Sequence, residues 1–386
     1  DSVLECAFPM PLTVRPTPPI LPDNTIGEGI DLFTNLRRQG KVVGAVCYLA
    51  DVHADLPGIE PGTVKYLRIS ERVNWPFDKS PRGEIRWLPG NPYFPQFGYW
   101  SWAPVRVLGI VPVEPDGSAY FRVPSGQAVY FQALDENYME IRRMRGHVSF
   151  QPGEVRGCTG CHESRSDQAP YIDWPTRLAS TREPSRPRPP AWGDMELIDY
   201  ETTIQPILDR HCVRCHSPKT KDAEAAAIDL TAARQPDGFF QSYRTMFGLK
   251  RGQQTPVAGD TQWPTWPADT QLQDKDWYRR LLLGELSDQL VVVSDRTSAP
   301  WQRPVDASIS QPKEFGSHRS RLITTLLKDP LHRREIKLEE EQWISLVTWV
   351  DANAPYHATF FQKFDERGTP LPEPIRVPIE LQPVRY

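Results

Sequence analysis

The chain has 386 residues, 45 Lys and Arg against 49 Asp and Glu, and a formal charge of -4. That length exceeds one ordinary domain. Without a domain-wide basic excess a nucleic-acid partner is excluded, and no apolar run reaches the roughly 18 to 20 residues needed to cross a bilayer, so no transmembrane segment is expected. Proline, at 40 residues, is about twice as frequent as usual, which predicts long ordered loops; 12 Trp, 13 Tyr and 15 Phe supply bulk for real cores.

Residues 1–30 read as an extended arm, because Pro9, Pro11, Pro16, Pro18, Pro19 and Pro22 oppose helix and central strand alike. Residues 41–50 and 64–73 are rich in β-branched and aromatic side chains and read as strands. The run Val105, Val107, Gly109, Val111, Val113 turns at Pro115-Asp116-Gly117, returns through residues 119–123, turns at Pro124-Ser125-Gly126 and returns through 129–134. Three strands joined by two tight turns predict a meander. An aromatic and Pro-rich insertion, 75–102, is packing material, and 136–145 is expected as a short helix.

Residues 176–191 carry Arg177, Arg182, Arg186 and Arg188 among prolines and read as a semi-rigid linker. Its guanidiniums are solvated charge, or in a sharper reading partners for carboxylates of a bound group. In 201–211, Ile204, Ile207 and Leu208 share one helical face. Ser317 is expected to cap a helix whose core face is Leu322, Ile323, Leu326 and Leu327. Glu339, Glu340 and Glu341 open another, with Trp343, Leu346, Val347 and Val350 inward, and Pro355 beyond its end. The tail from Thr369 is Pro-rich.

Two pentapeptides carry the chemistry. Cys158-Thr159-Gly160-Cys161-His162 and Cys212-Val213-Arg214-Cys215-His216 both follow C-x-x-C-H, the pattern of c-type haem attachment. Two thiols reach the two vinyl groups of one porphyrin, and the next residue turns an imidazole onto the iron. In a chain of this composition one match is expected by chance roughly 0.002 times, so two point to two haem c groups. Cys158, Cys161, Cys212 and Cys215 are the covalent residues, and His162 and His216 the proximal iron ligands. The alternative, one four-cysteine zinc site, leaves both histidines unexplained. Attachment of haem c takes place outside the cytoplasm, so a periplasmic or extracellular protein is expected, its signal peptide absent from this chain. Cys6 and Cys47 remain, and in an oxidising compartment they are a disulfide candidate.

Val111-Pro112-Val113-Glu114-Pro115-Asp116-Gly117-Ser118-Ala119-Tyr120-Phe121, Gln151-Pro152-Gly153-Glu154, Cys161-His162-Glu163-Ser164-Arg165, Gly316-Ser317-His318 and Trp349-Val350-Asp351-Ala352-Asn353-Ala354-Pro355-Tyr356 resemble the hydrazine synthase alpha-subunit family, over about residues 40–360. The resemblance implies one c-type haem in a β-rich middle domain and another in a helical C-terminal domain. It departs from the family in lacking propeller-like repeats. Where the catalytic subunit has a tyrosine shortly after the first motif, Ser166 stands four residues beyond His162, and the next tyrosine is Tyr171.

For the sixth ligand of the second haem, His332 lies in a predicted loop between two C-terminal helices, where such domains often place Met. No Met follows Met246, so histidine is the substitute, with His318 the runner-up. His147, Met139, Met144 and His53 are the choices for the first haem, against a plain structural role for each; His211 is expected to meet a propionate.

The expected fold class is α+β: a β-rich, sandwich-like meander domain, then a mainly α cytochrome c-like domain with long Pro-rich loops. Its parts are an arm (1–30), a β-rich domain (31–155), the first motif and linker (156–192), a helical domain with the second haem (193–368) and a tail (369–386). The expected function is electron transfer by an extracytoplasmic dihaem c-type cytochrome with redox partner proteins. The enzyme alternative is a haem oxidoreductase resembling the hydrazine synthase alpha subunit, acting on a small nitrogen compound at an open first haem. A third reading is an assembly cytochrome that polymerises through its arm into a homo-oligomer or larger complex.

Overall fold

The structure, a computed structural model, describes residues 44–54, 56–73, 78–79, 85–86, 105–144, 146–161, 172–235, 239–248, 288–292, 311–356, 358–364, 370–379, 381, 383–384 and 386. The arm, Cys6, His162, Ser166, Tyr171 and most of the aromatic insertion lie outside the described residues.

The first half is made of β1 (Ala45–Leu49), β2 (Tyr66–Arg72), the short pair β3 (Asp78–Lys79) and β4 (Ile85–Arg86), β5 (Val105–Pro112), β6 (Ala119–Val123), β7 (Ala128–Leu134), β8 (Glu140–Arg143), β9 (Val148–Ser149) and β10 (Val155–Cys158). One sheet has the order β5-β2-β7-β8, with β9 also on β7; a second has the order β10-β1-β6, in which β1 runs parallel to β10. Leu67, Ile69, Leu108, Val129 and Phe131 of the first share one core with Cys47, Leu49, Phe121 and Val123 of the second. Phe121 meets Phe131 edge-on across it at 5.4 Å.

The architecture is thus sandwich-like, and the expected meander does not form. β6 leaves its sequence neighbours and pairs with β1, so the two tight turns carry the chain to the other sheet and back. Periodicity explains the exchange. β1 and β6 alternate buried and half-buried positions, as strands covered on one face do, whereas β5 and β7 are buried nearly throughout and must be covered on both. Part of that second covering is the Pro- and Arg-rich segment. Arg188 exchanges backbone hydrogen bonds with Ile110 (both 2.9 Å), and Ser185 with Tyr120 and Arg122. Gly109 permits the approach: at φ 150° a side chain is strained, and a Cβ would sit 2.6 Å from the Arg188 carbonyl oxygen.

The expected helix over 136–145 is instead a turn and β8. Asp135 accepts from the backbone N–H of Asn137 (2.8 Å) and Met139 (3.0 Å), and Tyr138 takes φ 60°, which ends any helix there.

The second half is helical: a π-helical turn (Tyr200–Ile204) running into α1 (Gln205–His211), then α2 (Ala223–Ala227), α3 (Gln241–Met246), α4 (Arg321–Lys328), α5 (Pro330–Glu335) and α6 (Glu340–Asp351). Its core gathers Ile204, Leu208, Tyr243, Ile323, Leu346 and Trp349. Tyr200 stacks on Tyr356 at 5.4 Å and meets Trp349 at 5.2 Å, contacts that add about 0.5–1.5 kcal/mol each beyond area burial. Glu339 forms a capping box with Gln342 at the start of α6. Ser320, not Ser317, is the N-cap position of α4. Ser317 is taken by the join to the sheet: its N–H donates to Asp351 Oδ1 (2.9 Å) and its Oγ accepts from the Glu140 N–H (3.2 Å). The Pro-rich tail contains a strand, β12 (Pro370–Pro378), antiparallel to β11 (Thr359–Phe364).

The halves meet over a buried polar cluster. Asp351, closing α6, accepts from Arg68 Nη1 on β2 (3.4 Å) and from the Glu140 N–H (3.1 Å), while Arg143 Nη2 donates to its carbonyl (2.6 Å). Arg68 and Asp351 are both 0% exposed.

Candidate haem sites

The first motif leaves the end of a strand. Cys158 is the last residue of β10, opposite Leu49 of β1. The ladder continues past it: the Ala50 N–H donates to the Cys158 carbonyl (2.9 Å) and the Asp51 N–H to that of Thr159 (3.0 Å). Gly160 lies against the 51–54 turn, where a Cβ would collide with the Ala54 carbonyl oxygen. Cys158 and Cys161 pack on the edge of the sandwich core. Burial pushes the Cys161 thiol up to about 12.

Cys47 is a buried free thiol with its Sγ 4.0 Å from that of Cys158. That contact first, and burial second, hold its pKa well above the ordinary thiol value. Its expected partner Cys6 lies outside the described residues, as does His162.

The other candidates near the first motif are occupied. His53 Nε2 accepts from the Gly62 N–H (3.0 Å) and Nδ1 lies 3.3 Å from Asp51 Oδ1, so both nitrogens serve a turn. Met139 is buried in the core of the helical half, and Met144 packs on the sandwich core. His147 is exposed and sets its ring edge-on to Tyr130 at 5.8 Å.

The second motif leaves the end of a helix. Cys212 caps α1, and the N–H groups of Cys215 and His216 both turn back to its carbonyl (3.0 and 2.9 Å). Cys212 is buried, its thiol pushed up to about 12 by burial, while Cys215 is exposed. His216 Nδ1 lies 3.1 Å from the Ala225 carbonyl, which fixes Nδ1 as the protonated nitrogen. Ala225 is held in turn, since Asp222 accepts from its N–H (3.1 Å) as N-cap of α2. Burial, before any other cause, holds His216 below the usual imidazole value.

His332 faces this site from α5, on a short helix rather than the expected loop. Its ring centroid stands 6.1 Å from that of His216, with the planes within 10° of parallel. Its Nδ1 lies 2.7 Å from Asp329 Oδ2. With both Nδ1 atoms held, neither Nε2 takes a protein partner among the described residues. Leu331 beside it is 54% exposed, an unusually bare apolar side chain.

The remaining histidines have other work. His318 Nε2 lies 3.3 Å from Asp135 Oδ2, within ion-pair distance though outside hydrogen-bond geometry, and borders an open cleft with Arg319 and Lys328. His211 Nε2 is 3.1 Å from Gln342 Oε1, the side chain that also closes the α6 capping box. Arg182 pairs with Glu114 (2.7 Å) and Arg188 with Glu340 (3.4 Å), so these two guanidiniums clamp the segment to its surroundings.

The two C-x-x-C pairs sit on separate cores, and no three His, Cys, Asp or Glu side chains gather at one point among the described residues. A shared four-cysteine zinc centre therefore does not form. The second site offers what a porphyrin needs: one thiol rooted in the core, one at the surface, two imidazoles 6.1 Å apart with near-parallel planes, and the exposed Leu331 beside them. Asp329 and Asp222, which position the two imidazoles, carry no motif of their own. Asp329-Pro330 and Asp222 stand as helix caps with a histidine or carbonyl three residues on, and that spacing was the available signal.

The first half is a β-sandwich unit ending in an attachment loop. Residues 62–163 match the family model of the hydrazine synthase alpha subunit middle domain, so this stretch is similar to that domain. The second motif lies beyond the matched stretch. A solved hydrazine synthase of Kuenenia stuttgartiensis is similar over 88% of this chain and 45% of that chain, at 14% identity and a TM-score of 0.49. This chain spans less than half the length of that one. No curated protein matches. Among the described residues no helix is long and apolar enough to cross a membrane.

Proposed function

We propose that the chain is an extracytoplasmic dihaem c-type cytochrome that passes electrons between redox partner proteins. One haem c is held through Cys158, Cys161 and His162, the other through Cys212, Cys215 and His216 with His332 as its sixth ligand. When bound, haem would supply a one-electron centre at its iron; the chain's cysteines would anchor it and its histidines would supply nitrogen donors.

The observation that carries the reading is the His216 and His332 pair. Two imidazoles that both bound one metal, with bonds of about 2.0 Å, would have centroids no more than about 6 Å apart. The observed 6.1 Å and near-parallel planes agree with that separation. Each Nδ1 is occupied, as the outer nitrogen of a metal-bound histidine normally is. A six-coordinate iron with two strong nitrogen donors carries electrons and leaves no position for substrate.

The test is an electronic and EPR spectrum of the haem-loaded protein and of His332→Ala. Two haems per chain, with one low-spin centre lost in the variant, support the reading. An unchanged spectrum rejects His332 as a ligand. Exogenous ligand binding at the first haem of the unmodified protein rejects a role confined to carrying electrons.

A further inference from the structure

Asp329 uses one oxygen twice. Oδ2 accepts from the His332 backbone N–H (2.9 Å), the ordinary contact of an N-cap with its helix, and also from the His332 ring at Nδ1 (2.7 Å). Capping alone does not call for the second bond. His216 offers the contrast within the same site, because its Nδ1 donates to a neutral backbone carbonyl at 3.1 Å. One imidazole is therefore backed by a dipole and the other by a full negative charge.

We propose that Asp329 is a positioning residue that orients His332 and raises its donor strength, and so lowers the reduction potential of the iron held between His216 and His332. The inference rests on His332 being an axial ligand. A charge-assisted bond is shorter and roughly twice as strong as a neutral one. Drawing the Nδ1 proton toward a carboxylate loads electron density onto the ring and makes Nε2 more basic. A more basic donor, with an anion behind it, favours ferric over ferrous iron. Asp329 is 42% exposed, so part of its charge is screened by solvent and the effect weakens as salt rises.

Asp329→Asn separates charge from capping. Its amide oxygen still accepts from both N–H groups, so helix and ring stay in place while the charge is gone. Asp329→Ser is the second neutral variant, a good N-cap that gives up the ring contact. Each is made in the full haem-loaded chain and titrated potentiometrically, following both haems. The expected result is an upward shift of one midpoint, larger than any shift of the other, with the low-spin spectrum retained. Asp329→Glu, which restores the charge, is expected to bring that midpoint back toward its original value. Both midpoints unmoved in the Asn and Ser variants, with low-spin spectra intact, would overturn the inference. His332→Ala with both haems still low-spin is a different outcome, the failure of the ligand reading itself.

Discussion

Asp351→Asn tests the join between the halves, and the structure sets the size of the loss. Asp351 Oδ1 accepts from the Ser317 N–H (2.9 Å), and Oδ2 from the Glu140 N–H (3.1 Å) and Arg68 Nη1 (3.4 Å). Asparagine has one acceptor oxygen, so in either orientation its amino group faces a backbone N–H. The contact is too tight to admit water there: Gly316, at φ 62°, presses close enough that a Cβ would lie 2.5 Å from Oδ1. An orphaned Ser317 N–H costs about 1–3 kcal/mol, less in the other orientation because the Glu140 N–H keeps Ser317 Oγ (3.2 Å), and removing one partner of a buried ion pair costs about 3–5 kcal/mol. These overlap, so the expected loss is about 4 kcal/mol, a large part of the 5–15 kcal/mol typical of a folded protein. Urea denaturation of the haem-loaded chain, followed by far-ultraviolet circular dichroism, measures it. A loss below about 1 kcal/mol at unchanged m would refute the reasoning, because the penalty for an unmatched buried charge would then be missing. Arg68→Met with Asp351→Leu adds a check on sign: the double variant should lose less than the two singles summed, since it removes both charges together.

Gly160→Ala drives a methyl group into the Ala54 backbone, which has no rotamer by which to retreat. The attachment loop must shift, at about 1–3 kcal/mol, and haem content measured as the pyridine haemochrome should fall toward one per chain; full loading would show the loop to be slack. Asp116 gives a pH signature. Burial opposes its ionisation, yet bonds from Ser118 Oγ (2.6 Å), the Leu178 N–H (2.8 Å) and the Ser118 N–H (3.1 Å) outweigh it and lower its pKa. Its stabilisation is complete above the unfolded carboxylate value of about 3.9 and is lost as pH falls through the lower folded value. Asp116→Asn should therefore cost about 1 kcal/mol at pH 5 to 7, and the difference from wild type should shrink below pH 4; a constant difference would show the carboxylate charge to be irrelevant.

The elements legible in the sequence were those whose partners lie nearby in the chain. Ile204, Ile207 and Leu208 face the core as their spacing predicts, and Leu346, Val347 and Val350 do the same in α6. Strand positions in β5, β6 and β7 were also readable, but not their pairing. Turn signals mark where a chain reverses, not which sheet it joins, and only the different burial of β6 separates it from its neighbours. The helix expected over 136–145 failed for a related reason, since an Asx turn at Asp135 outweighs helix propensity downstream. Within the candidate site, the proposed attachment residues follow from covalent spacing alone. Axial partners do not: choosing His332 over His318 depends on Asp329 and Asp135, and nothing in the spacing tells which carboxylate leaves a ring facing His216.

The two C-x-x-C motifs are supported in opposite ways. The first hangs from a parallel ladder that continues past Cys158, so its position is set by strand register in the sandwich. The second is wound onto the end of α1, so its position is set by helix packing in a separate core. Two such units joined by an apolar seam would have many nearly equivalent ways to slide. The seam here adds directional bonds to an apolar contact of Ile344 with Ile110 and Leu134: Arg68 and Glu140 from the sheet meet Asp351 and Ser317 from the helices.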